Sequence, residues 1–144
     1  MYIRNPEFFC DTNDNKTIFI DLENGVFYIL PIFANLVFRA LVSGKTMDET
    51  LQILQDIEQM PGDVATRADK VLNQLLEYRL IVDSDLVDIV PMPEITENLI
   101  MDIQDEEFEY EITVSSDIQK MLMDDPIHDV SLDGWSPILN NDKI

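Results

Sequence analysis

The sequence is short of the residues on which most enzymes and metal proteins depend. Among 144 residues there is one cysteine, one histidine, one tryptophan and four glycines. A lone cysteine, Cys10, cannot close an intramolecular disulfide or build a thiolate-rich zinc site. The missing disulfide framework points to a reducing, cytoplasmic compartment. With His128 the sole imidazole, there is little material for a triad or a histidine metal centre. No glycine-rich phosphate loop, Gly-x-Ser-x-Gly or His-Glu-x-x-His occurs, so neither catalysis nor a bound cofactor or metal is expected. Basic residues are scarce as well: 9 Lys and Arg face 29 Asp and Glu, a formal charge of −20. Such a surface repels phosphate backbones and anionic lipids, which argues against nucleic-acid and membrane partners. No apolar run approaches the roughly 18 residues of a membrane span, and no signal-peptide core is seen near the start.

What is present suffices for a core: 46% of residues are apolar. The charge is uneven. Residues 1–82 hold 12 acids and 7 bases, whereas residues 83–144 hold 17 acids and 2 bases and four of the seven prolines. This shift sets an expected boundary near residue 82, with a folded domain before it and an acidic tail with apolar islands after it.

The first part reads as three strands and three helices. Glu7–Asp11 is a short strand. Lys16–Leu22 alternates, with Ile18 and Ile20 on one face. Val26–Leu30 returns after Asn24-Gly25, the pair favoured in a type I′ turn. Pro31 suits the start of a helix over Ile32–Val42, which Gly44 closes. Thr46 and Glu49 form a capping box for a helix carrying Leu51, Leu54 and Ile57. Val64–Arg79 places Ala68, Val71, Leu72 and Leu75 at helical spacing. Ile29, Phe33, Val37, Phe38 and Leu41 are the expected centre. The fold class is α+β: a winged-helix-turn-helix-like unit, with a three-stranded antiparallel sheet followed by three helices and an acidic extended tail.

Chemistry-bearing candidates are few. His128 among carboxylates reads as a solvated tail residue, and Cys10 beside Phe8 and Phe9 as a buried, inert thiol. The acidic run from Asp102 to Glu111 lacks the ligand alternation and central glycine of a calcium loop and reads as solvated. Arg67, Lys70 and Gln74 share one helix face. Three polar groups against −20 fit an acidic peptide better than DNA. Within the tail, Phe108, Tyr110, Ile112 and Val114 alternate with polar residues over 108–114, a strand that needs a sheet edge to join. Ser116 could cap a short helix-like segment over 117–123, and Trp135 follows an Asp-Gly turn.

With the segment Leu22 to Leu30, the helix positions Ala34, Val37, Phe38 and Leu41, the Gly44 to Glu49 turn, and Leu72, Leu75, Leu80 and Ile81, residues 16–82 resemble the PqqD family. These are recognition elements of ribosomally made, post-translationally modified peptide (RiPP) pathways. Pro31 stands where that family usually has Asn, and Arg79 where Gly is frequent. The resemblance implies a non-catalytic peptide chaperone that binds a precursor's leader peptide as an added strand and presents it to a modifying enzyme. It implies a groove of Val26, Tyr28 and Leu30 from the strand, with Arg67, Lys70, Val71, Gln74 and Tyr78 from the helix. Residues 108–114 would then act as a built-in leader, in cis or by strand or tail exchange in a homodimer. The competing readings are an acidic inhibitor or mimic of a basic partner's ligand, a winged-helix transcription regulator, and an enzyme built on His128.

Overall fold

A computed structural model describes residues 1–12, 15–88 and 90–116. The protein is α+β, with four helices and two sheets among these residues. Strands β1 (Tyr2–Arg4) and β5 (Ile81–Asp83) form an antiparallel ribbon. The larger sheet has the order β2 (Phe9–Thr12), β3 (Thr17–Asp21), β4 (Val26–Leu30), β6 (Thr113–Ser115). Pairs β2–β3 and β3–β4 are antiparallel. The helices are α1 (Ile32–Val42), α2 (Met47–Gln55), α3 (Val64–Glu77) and α4 (Glu97–Asp105).

The expected three-stranded sheet therefore gains a fourth strand, and the expected helix set gains α4. The winged-helix topology is not matched exactly, because β1 and β5 form a ribbon of their own. The compact unit also extends past residue 82, to Val114. Charge had suggested an earlier end, but Val90, Leu99, Ile103 and Ile112 are buried with the core. The reason lies in α1. All eleven of its residues are buried, and a helix apolar on every side must be covered on every side. The sheet and α3 cover only part of it, and residues 90–112 supply more of the cover.

The centre of the core holds Phe33, Val37, Phe38 and Leu41, as expected, with Phe19 meeting Phe38 edge-to-face at 5.3 Å. Ile29 is only half-buried. Cross-strand partners share a face, so Leu30 points with Thr17 toward the helices and Ile29 points with Ile18 the other way. The turn before β4 is a four-residue loop rather than a two-residue type I′ turn, since Asp21 pairs with Val26. Only Gly25 takes a positive φ, +68°, and Asp21 accepts hydrogen bonds from Asn24 that hold the loop.

Helix ends follow local chemistry. The Thr46–Glu49 capping box forms in full. The Thr46 N–H holds the Glu49 carboxyl below its ordinary pKa. Helix α1 ends on Gly44 at φ +102°, with the Lys45 N–H donating to the Ala40 carbonyl, a Schellman arrangement. Helix α3 ends in the same motif, two residues earlier than periodicity suggested. Here Arg79 occupies the left-handed position at φ +59°. The buried Asn5 fixes that turn, donating through Nδ2 to the Arg79 carbonyl (2.8 Å) and through its N–H to the Leu80 carbonyl (2.9 Å).

Candidate functional site

One face of α3 meets a later part of the chain, and that part continues into β6 beside β4. Arg67, Lys70 and Gln74 advance along one face of α3, at the three- and four-residue spacing of neighbours on a helix. Each meets a successive position of residues 108–112. Arg67 Nη1 donates to the Phe108 carbonyl at 3.0 Å. Lys70 Nζ donates to the Tyr110 hydroxyl at 3.5 Å. Gln74 Oε1 accepts the Ile112 N–H at 3.0 Å. The Arg67 guanidinium and the Lys70 ammonium lie 5.6 and 5.7 Å from the Tyr110 ring centroid, within cation–π range. The segment thus runs in the direction of α3 before β6 takes its place beside β4.

The segment is a regular strand only over Thr113–Ser115, not over the expected 108–114. Its start is a tight reversal out of α4. The Glu107 N–H donates to the Gln104 carbonyl and the Phe108 N–H to the Ile103 carbonyl. Glu107 and Phe108 both take positive φ, +57° and +56°, at roughly 1–2 kcal/mol each for side chains with a Cβ. The alternation nevertheless points the right way. Phe108 and Tyr110 are half-buried against the core and Ile112 is buried, while Glu109 and Glu111 are exposed. Val114 breaks the pattern, being 46% exposed. Glu109 Oε1 accepts the N–H groups of both Tyr110 and Glu111 at 2.9 Å. Two backbone donors outside any ladder are satisfied in this way.

The other expected groove residues behave differently. Leu30 and Val71 are fully buried and belong to the core. Tyr28 and Tyr78 meet at a tilt of 37°, centroids 5.2 Å apart, and Tyr28 stacks on Phe8 at 6.0 Å. Burial raises the Tyr28 phenol pKa. Val26 is half-buried at the hairpin end of β4.

Several residues that hold the segment were not expected to matter. Pro31, the N-cap of α1, has no side chain able to cap. Instead Glu106 Oε1 accepts the Ile32 N–H at 3.1 Å, and Glu106 Oε2 pairs with Lys16 Nζ at 3.1 Å. A carboxylate at a helix N-terminus meets both unpaired N–H groups and the positive end of the dipole. Asp88 binds Arg4 in a fork, to Nε and Nη2 at 2.9 Å each, and also accepts the Arg4 N–H. That carboxylate raises the guanidinium's pKa further. The buried Arg39 donates through Nε to the Pro91 carbonyl at 2.8 Å. Asn15 donates to Asp102. So Asp88, Asp102 and Glu106 tie residues 83–106 to the domain, where charge suggests an acidic tail from residue 83 and a solvated run from Asp102 to Glu111. One readable signal was Ile95-Thr96 ahead of Leu99, Ile100 and Ile103. Thr96 caps α4 by accepting the Leu99 N–H, and Ile95 and Ile100 stand at the positions of a hydrophobic staple.

Cys10 is half-buried on β2 and lines a cleft of about 400 Å³ with Arg4, Phe9, Leu86 and Val87. Burial pushes its thiol up to about 11. No cluster of three or more metal-ligating side chains occurs among the described residues, and no helix among them is long and apolar enough to cross a membrane. Ser116 is exposed. The segment 117–123, His128 and Trp135 lie outside the described residues. Compared with known proteins, the chain matches no family model, no curated protein and no solved structure.

Proposed function

We propose that the protein is a non-catalytic peptide-recognition module of the PqqD type, acting in the cytoplasm. It binds a ribosomally made precursor's leader as a strand beside β4 and against α3, and presents it to a modifying enzyme. The observation that carries this reading is the seat of residues 108–112 on Arg67, Lys70 and Gln74, followed by β6 at the β4 edge. An extended peptide held by a sheet edge on one side and helix side chains on the other is a recurring mode of peptide capture. Residues 108–114 serve as a built-in leader that keeps the site covered until a precursor arrives. The acidic-mimic reading is less well supported, because Asp88, Asp102 and Glu106 already bond within the domain.

The test is to pan a linear-peptide display library on the full-length, isotope-labelled chain and map selected peptides by amide shifts. The expected result is selected peptides that move the amides of 26–30 and 67–74. Peptides that map elsewhere, or a library from which none is enriched, would refute the reading.

A further inference from the structure

Resting on the peptide-recognition reading, we infer that the site takes a defined peptide pattern: an acidic residue, then an aromatic one, then any residue, then a branched aliphatic one. The chain's own Glu109-Tyr110-Glu111-Ile112 is the template. Each element of the pattern corresponds to an observed contact.

The aromatic position is set by Arg67 and Lys70. Two cations from successive turns of one helix converge on the Tyr110 ring, and Lys70 also reaches the phenol oxygen. The ring's negative face suits such a pair, and an aliphatic side chain offers it nothing. Lys70 makes no ion pair among the described residues, whereas Arg67 is also held by Asp63 at 2.9 Å. Lys70 is thus the cation left to answer to the ligand. The acidic position is set within the ligand rather than by α3: the Glu109 carboxylate accepts the next two backbone N–H groups and so holds the segment in its bound shape. Replacing it by an apolar residue leaves both donors without that partner. The aliphatic position follows from Ile112, buried to 5% exposure.

Register comes from the backbone. Arg67 reads the carbonyl two positions before the aromatic residue, and Gln74 reads the N–H two positions after it. These contacts do not depend on the ligand's side chains. They place any extended peptide so that one residue falls between Arg67 and Lys70. The cis segment enters through two non-glycine residues at positive φ. That strain weakens its hold, so a trans peptide with the same pattern and a relaxed entry can displace it.

The experiment uses the full-length chain and the Tyr110→Ala/Ile112→Ala variant, whose cis segment is weakened, with a fluorescent peptide copying residues 106–116. Two altered peptides carry Tyr110→Ala or Glu109→Ala; the latter lacks the acceptor for two backbone N–H groups and is expected to bind about 3-fold more weakly than the parent, equal binding removing the acidic position from the pattern. The variant is expected to bind the parent peptide at least ~10-fold more tightly than the wild-type chain does, since the tethered competitor acts at about millimolar effective concentration. The Tyr110→Ala peptide is expected to bind the variant about 10-fold more weakly than the parent, the combined size of two solvent-accessible cation–π contacts. Lys70→Ala in the same chain is expected to shrink that difference to about 3-fold, the share left to Arg67. If the double variant loses its dispersed amide spectrum, Ile112→Ala alone, which leaves Arg67, Lys70 and Gln74 in place, weakens the cis segment and replaces it. Equal binding of parent and Tyr110→Ala peptides would overturn the inference and leave the peptide-binding reading intact. So would failure of the parent where display-selected peptides of another pattern bind at 26–30. Failure of every peptide, with no shift at 26–30 or 67–74, would sink both.

Discussion

Replacing Ile112 by alanine should release the end of the segment without unfolding the domain. Ile112 is 5% exposed, packs with the core cluster, and donates its N–H to Gln74. Truncating a buried isoleucine to alanine costs about 2–5 kcal/mol, from lost transfer energy and the cavity left behind. The low end applies here, because the site lies near the edge of the compact unit and β6 can move away rather than hold a void open. About 2–3 kcal/mol corresponds to a factor of roughly 30–150 in the opening equilibrium. The assay is native-state amide hydrogen exchange, which resolves local opening from global unfolding. Exchange of amides 112–115 and of the β4 edge should accelerate by that factor. Amides of β3 and α1 should keep the wild-type rate. An equal acceleration throughout would show that the segment is an integral part of the cooperative core. No acceleration at 112–115 would show that Ile112 does not hold it.

Three other outcomes test the architecture. Glu106→Gln removes the charge that serves the α1 N-terminus and Lys16; it should cost about 1–2 kcal/mol and appear as a lower midpoint in urea melts. Arg79→Gly should stabilise the protein by about 0.5–1 kcal/mol, because relief of a left-handed residue outweighs glycine's added entropy and an exposed 3.7 Å pair with Glu7; a lower melting temperature would contradict the reading of that turn. Cys10, with its thiol pushed up to about 11, should resist iodoacetamide at pH 8 and react faster as the pH approaches that value. The raised value also means that the neutral thiol's contribution to stability is complete below the ordinary thiol range and is lost as pH climbs toward 11.

The parts of this fold legible in the sequence are those set by local chemistry. The Thr46–Glu49 box, the Gly44 stop and the apolar run from Ile32 to Val42 need no knowledge of the rest of the chain. Arg67, Lys70 and Gln74 were readable as one face, and Phe108, Tyr110 and Ile112 as one side of an extended segment. Their meeting is a non-local event that the family resemblance suggested and helical periodicity alone did not. What was missed came from treating carboxylates as solvated. Asp88 and Glu106 carry the same charge as their neighbours, and only the positions of Arg4, Lys16 and the bare start of α1 distinguish them. Helix α4 was hidden in the same way, although Thr96 and the spacing of Leu99 and Ile103 announced it. The two-residue turn at Asn24-Gly25 failed because Asp21 captures Asn24 and lengthens the loop.

The position of β6 has a consequence for colloidal behaviour. A sheet margin with unsatisfied N–H and C=O groups is a template for pairing with another chain. On the β4 side that template is covered by a strand from the same molecule. Any event that lifts residues 113–115, whether mutation or displacement, uncovers it. The released state therefore has two fates, capture of an incoming peptide or edge-to-edge association of copies, and their ratio depends on protein concentration. At high concentration, loosening the segment should drive self-association before it improves peptide capture, so the tether acts as a solubility device as well as a cover.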